Sequence, residues 1–212
     1  MIGLHCFEKE WIDGFRAQKV YEKINPPLLE KMIHAFSLLQ HLQTQGLHFI
    51  FKGGTSLMLL LDNANRFSVD IDVITEEGRE TIESVLNKVV AASHFRGWKL
   101  DEKRSYKQGI PKAHYELEYD SRINKNANYI LLDILFEKAH YPTLQKRPVQ
   151  SLFIDTVGLS VSGIAAIRNP TNPVLWNFSG GSAVSANFWS QGISGSMKQL
   201  QQPAKSLTCV PD

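Results

Sequence analysis

The chain has 212 residues, 43% of them apolar and 21% charged, and a formal net charge of +2. That composition suits a soluble globular protein with a core large enough to fold without staples, and so small a net charge singles out no class of partner. The two cysteines, Cys6 and Cys209, stand at opposite ends of the chain without metal-ligand spacing, which excludes a zinc site and a disulfide framework.

The opening "MIGLHCFEKEW" has no charged leader followed by an apolar core, and no run approaches the length of a membrane span. A cytoplasmic protein is expected. "NPPLLEKMIHAFSLLQHLQTQG" reads as a helix: Pro26 and Pro27 open it, Gly46 follows it, and Leu29, Met32, Ile33, Phe36, Leu39 and Leu42 form an apolar stripe. "LHFIF" is a short strand. "GGTSLMLLLD" reads as a turn that opens a buried helix, and "SVDIDVI" alternates from Val69 to Val73 as a strand does. "EEGRETIESVLNKVVAAS" is an amphipathic helix. Strands are expected in "WKLDEKR", "AHYELEY" and "YILLDILFE", and a fourth in "VQSLFIDT". This order argues for an α/β (α+β) domain, a mixed sheet flanked by helices.

Past Thr156 the character changes. Residues 156 to 211 contain no Asp or Glu, and Arg168, Lys198 and Lys205 are their basic groups. Two segments are therefore expected: a core domain over 1–160, and an atypical, poorly ordered 161–212.

The chemistry concentrates in "FKGGTSLMLLLDNANRFSVDIDVIT". In a strand, alternation places Asp70 and Asp72 on one face, with Val69, Ile71 and Val73 opposite. Two neighbouring carboxylates repel, and a divalent cation is the simplest remedy. Magnesium takes oxygen ligands, commonly one or two carboxylates together with substrate phosphates. Gly53 and Gly54 let backbone amides approach a phosphate, a following helix N-terminus favours an anion, and Thr55 or Ser56 adds a hydroxyl donor. The spacing is not that of a Walker A loop. Taken singly, a Gly-Gly is an ordinary turn and an Asp-x-Asp is two surface aspartates. Together, at strand–helix boundaries a short distance apart, they are a stronger signal of a phosphate-and-metal site than either is alone.

"FKGGTSL" followed by "RFSVDIDVIT" resembles the AbiEii/AbiGii-type nucleotidyltransferase toxins, within the DNA polymerase β-like nucleotidyltransferase superfamily. The resemblance covers about residues 20 to 160. It implies the nucleotidyltransferase fold, with Gly53, Gly54, Thr55 and Ser56 as the triphosphate-holding turn. It implies Asp70, Asp72 and Asp133 (in "YILLDILFE") as the metal-binding, catalytic carboxylates, and Lys52 and Arg66 as secondary phosphate contacts. It further implies Mg2+ or Mn2+, a nucleoside triphosphate substrate, an RNA acceptor such as tRNA, and a cognate antitoxin. Read from the residues alone, Asp133 is equally a hydrogen-bonded core group.

"WKLDEKRSYKQGIPKAHY" interleaves Lys99, Lys103, Arg104, Lys107 and Lys112 with Trp98 and Tyr106. The pattern suits RNA phosphates and bases, and equally a solvated hairpin. The family continues into a helix whose Lys reaches the nucleotide. Here "VSGIAAIRNPTNPV" stands in its place, without that Lys, as a reading-frame shift near Ser162 would produce. The competing readings are a nucleotidyltransferase acting on RNA, one acting on a small molecule or protein, and a catalytically incomplete nucleotide-binding or interaction module.

Overall fold

The computed structural model describes residues 1–60, 68–138, 140–141, 144–156 and 162–166. The chain opens with a 3-10 turn at Leu4–Phe7 and helix α1 at Lys9–Arg16, neither expected from the sequence. Helix α2 follows at Pro26–Thr44, capped by the Asn25 side chain, which accepts from the Leu28 amide. Then come β1 (Ile50–Lys52), α3 (Gly53–Leu60), β2 (Ile71–Thr75) and α4 (Arg79–Ala92). Five more strands complete the described elements: β3 (Phe95–Leu100), β4 (Lys112–Asp120), β5 (Ala127–Phe136), β6 (Leu144–Pro148) and β7 (Ser162–Ala166).

The strands form one mixed sheet in the order β3-β4-β5-β2-β1-β7-β6. β5 is inserted between β4, with which it makes a hairpin, and β2, with which it runs parallel. A parallel pair needs a crossover between its strands, and α4, β3 and β4 supply it. Strand alternation divides each strand between two environments. Ala113, Tyr115, Leu117 and Tyr119 of β4, with Ile130, Leu132 and Ile134 of β5, are buried in one cluster with the apolar residues of α2 and α4. His114, Glu116 and Glu118, with Leu131 and Asp133, point to the other face and are half-buried.

Three strand boundaries depart from expectation. The strand predicted from Val69 starts at Ile71, because the Asp70 carbonyl accepts from the Thr55 hydroxyl at 2.7 Å, a side-chain partner in place of a neighbouring strand. The strand predicted across 98–104 lies at Phe95–Leu100. It stops where Asp101 turns the chain by accepting the Arg104 amide. In place of a strand at 149–156 the chain makes tight turns, with Gln150 donating to the Pro148 carbonyl and Ile154 to that of Ser151. The strand there is β6, earlier in the chain, and Thr156 makes an isolated bridge to Ile2. Within the segment set apart from residue 161, Ser162–Ala166 is a strand of the sheet. The rest of that segment, and with it the expected disorder and frame shift, lies outside the described residues. Among the described residues no helix is long and apolar enough to cross a membrane.

Candidate active site

Register builds the site. Lys52 of β1 pairs with Asp72 of β2, Asp72 with Asp133 of β5, and Asp133 with His114 of β4. Residues opposite one another on neighbouring strands share a face. Four ionisable side chains from four strands therefore stand in one row, two carboxylates at its centre and a basic group at either end.

The glycine turn closes against this row. Gly53 has φ +79°, a conformation open to glycine at little cost. A Cβ there would lie 2.8 Å from Asp72 Cγ and overlap Oδ2. Gly53 thus lets the backbone come up against the carboxylate, and α3 begins at that point with its free amides. The hydroxyls of Thr55 and Ser56 are engaged within the turn. Both residues are buried, and their hydroxyls donate inward, Thr55 to the Asp70 carbonyl and Ser56 to the Gly53 carbonyl, each at 2.7 Å. They brace the turn from within.

Asp72 has its pKa pushed up to about 6. Loss of water is the largest cause, and repulsion from Asp133 and Asp70 adds to it against the pull of Lys52 and His114. Asp70 is likewise raised above its ordinary value, first by desolvation and also by Asp133, with Lys31 and Arg104 pulling the other way. The third carboxylate has a side-chain partner: His114 Nδ1 is hydrogen-bonded to Asp133 Oδ1. The charges on Asp70, Asp72 and Asp133 therefore act on one another, as the sequence suggested, although Asp70 precedes the strand.

Sequence reasoning missed His114 and Lys31. His114 occupies an ordinary alternating position in "AHYELEY", and only the pairing of β4 with β5 reveals its neighbour. Lys31 lies on α2, where no local pattern marks it; its ammonium sits 5.1 Å from the centre of the half-exposed Tyr129 ring. Arg66 lies outside the described residues. In the basic hairpin, Trp98 Nε1 donates to Asn87 at 2.9 Å, Lys99 pairs with Glu118, and Tyr106 stacks on Phe136 with centroids 5.7 Å apart. These groups are engaged within the molecule, which favours the solvated-hairpin reading for them. Lys103, Arg104 and Lys107 remain on the exposed loop.

The chemistry of the donors suits a hard divalent cation, which would relieve the mutual repulsion of the carboxylates. Among the described residues no group of three or more His, Cys, Asp or Glu is placed to hold a metal ion, so the protein offers a pair of carboxylates at most before substrate binds. Magnesium commonly keeps water and substrate phosphates as ligands and needs one or two carboxylates from the protein.

A mixed sheet presenting carboxylates beside a glycine turn is the arrangement of a nucleotidyltransferase. Residues 37–170 match the family described as "Nucleotidyl transferase AbiEii toxin, Type IV TA system", and the chain belongs to that family. Two solved structures are similar in part: JHP933 from Helicobacter pylori, with 18% identity and a TM-score of 0.41, and an H. pylori protein proposed to be a nucleotidyltransferase, with 19% and 0.39. The matches cover 65% and 66% of this chain but 50% and 52% of the other two, so the chain spans about half their length. A comparison with curated proteins finds no match.

Proposed function

We propose that the protein transfers a nucleoside monophosphate from a nucleoside triphosphate to a hydroxyl of RNA, with tRNA the first candidate, in the cytoplasm. It would act as a metal-dependent toxin restrained by a cognate antitoxin. The observation that carries this reading is the in-register pairing of Asp72 with Asp133 beside Gly53.

The amides at Gly53 and Gly54 and the ammonium of Lys52 receive the phosphates. Asp72 and Asp70 would hold Mg2+ or Mn2+, with Asp133 beside them, once substrate phosphates and water complete the ligand set. The cation supplies neutralisation of the charge that builds on the α-phosphate and the leaving pyrophosphate. Asp133 accepts the proton of the attacking hydroxyl, which lies in line with the departing pyrophosphate. Lys31 and Arg104, whose charges reach Asp70, line the approach of an anionic acceptor.

The test is incubation with α-labelled nucleotides, Mg2+ or Mn2+ and tRNA, comparing the wild type with Asp72→Asn. Label on RNA that the variant loses is the expected result. Label on protein or on a small molecule would replace the RNA acceptor, and absence of both transfer and triphosphate binding would sink the reading.

A further inference from the structure

We infer that His114 is a positioning residue that fixes the rotamer of Asp133, so that only Oδ2 is presented to metal and acceptor. The inference rests on the functional reading above for the role of Asp133, but its geometry stands by itself. An ionised carboxylate only accepts, so Nδ1 carries the proton and donates it to Oδ1. Both side chains are sheltered, at 12% and 26% exposure, which protects the bond from competing water.

The histidine is itself held at its backbone. Its amide donates to Ser105 Oγ at 2.8 Å, and its carbonyl accepts from the Asp101 amide at 2.9 Å. Ser105 and Asp101 belong to the loop between β3 and β4. The same loop is pinned one residue further on, where the Tyr106 and Tyr115 hydroxyls lie 2.9 Å apart. The imidazole thus hangs from a backbone fixed on two sides, and its reach to Asp133 follows from strand register.

A carboxylate free to rotate would spread its two oxygens over several arrangements around the cation. Held at Oδ1, it has one. Partners of this kind, one bond behind a metal ligand, commonly change metal affinity or activity about 10- to 100-fold when removed. A side chain that merely filled space would move neither.

The test compares His114→Ala with His114→Asn, whose amide reaches about the position of Nδ1 and can donate to Oδ1. Mn2+ affinity is measured by electron paramagnetic resonance with a non-hydrolysable triphosphate present. We expect His114→Ala to weaken Mn2+ binding about tenfold or more. It should lower kcat with little change in the KM for nucleotide, because Lys52 and Gly53 are untouched. His114→Asn should recover most of both. In the wild type, 15N-histidine labelling should reveal a downfield imidazole N–H resonance that Asp133→Ala abolishes.

Wild-type Mn2+ affinity and kcat in His114→Ala would overturn the inference, as would a His114→Asn variant no better than Ala, or the absence of the N–H resonance. Should His114→Ala fail to fold, the Asn variant and the resonance decide. If the wild type transfers no nucleotide to any acceptor, the proposed function fails, while Mn2+ affinity and the resonance still decide the role of His114.

Discussion

Glu30 and Asp72 are carboxylates from two regions of the molecule, each drawn out of bulk water, and the protein treats them in opposite ways. Glu30, on α2, is 1% exposed and receives three donors: the Ser121 hydroxyl and the Arg122 amide at 2.6 Å each, and the Ile123 amide at 3.4 Å. These donors belong to the turn joining β4 to β5, so Glu30 ties the helix to the hairpin that carries His114 and Asp133. Asp72 has neighbouring charges and a glycine backbone, but among the described residues no hydrogen-bond donor holds its carboxylate. A buried charge with its full set of donors stabilises a fold; one without them costs stability. The difference separates a carboxylate that serves architecture from one left without donors of its own among the described residues.

The largest expected effect falls on Asp72. Asp72→Asn should lower nucleotide transfer by about a thousandfold or more, since it removes a metal ligand at the reacting phosphate. The same change should stabilise the metal-free protein, by about 1 kcal/mol after allowing for solvent screening, and so raise Tm by about 2 to 4 °C. Thermal melts alongside the transfer assay check both; a melt that falls would erase the contrast with Glu30.

Glu30→Ala should do the reverse. It leaves a hydroxyl and two amides without their acceptor, at a cost of about 3 kcal/mol, measurable by urea unfolding. Transfer per folded molecule should change little at saturating metal. A large loss of turnover in a folded Glu30 variant would show that the hairpin tie also serves the site.

Gly53→Ala tests the contact between turn and carboxylate. The φ of +79° and the overlap with Asp72 together should cost about 2 kcal/mol or more. In a double-mutant cycle with Asp72→Gly, the part due to overlap should vanish and the part due to φ should remain. Additive effects would mean that the turn does not lean on Asp72.

The smallest effect concerns a third buried titratable group. His34, one helical turn beyond Glu30, stacks on Tyr119 at 3.8 Å between centroids, and among the described residues its Nδ1 has no hydrogen-bond partner. Burial, reinforced by His94, pushes its pKa down to about 3. The unfolded side chain takes a proton near pH 6.5. Between those values the unfolded state binds more protons, so stability falls as the pH drops through 6.5. From pH 7 to 5 the loss should be about 1 to 2 kcal/mol, and His34→Phe should lack it.

Much of this was legible in the sequence. α2 was readable from its prolines and apolar stripe, β5 from its apolar run, and the family from the glycine turn at Gly53 and Gly54 and the Asp70/Asp72 pattern that follows it. What stayed hidden depends on contacts distant along the chain. The start of β2 was misplaced because Thr55, fifteen residues earlier, takes the Asp70 carbonyl. Thr55 and Ser56 read as phosphate donors because sequence does not reveal where a hydroxyl points. His114 became visible only through register, and α1 was missed because its partners, such as the Phe153 carbonyl that accepts from Trp11 Nε1 and the Phe153 ring against Phe15, come from far along the chain.

The insertion of β5 between β4 and β2 bears on the order in which a growing chain assembles the row. The row needs residues 52, 72, 114 and 133, and the strand carrying Asp133 is the last of the four to leave the ribosome. Until it slots in, Asp72 has no parallel neighbour and His114 nothing to hold. A fragment ending before Asp133 would carry the glycine turn and the Asp70/Asp72 pair but no second carboxylate strand. The order of the strands therefore leaves the row of residues 52, 72, 114 and 133 incomplete until β5 has been made and has taken its place between β4 and β2.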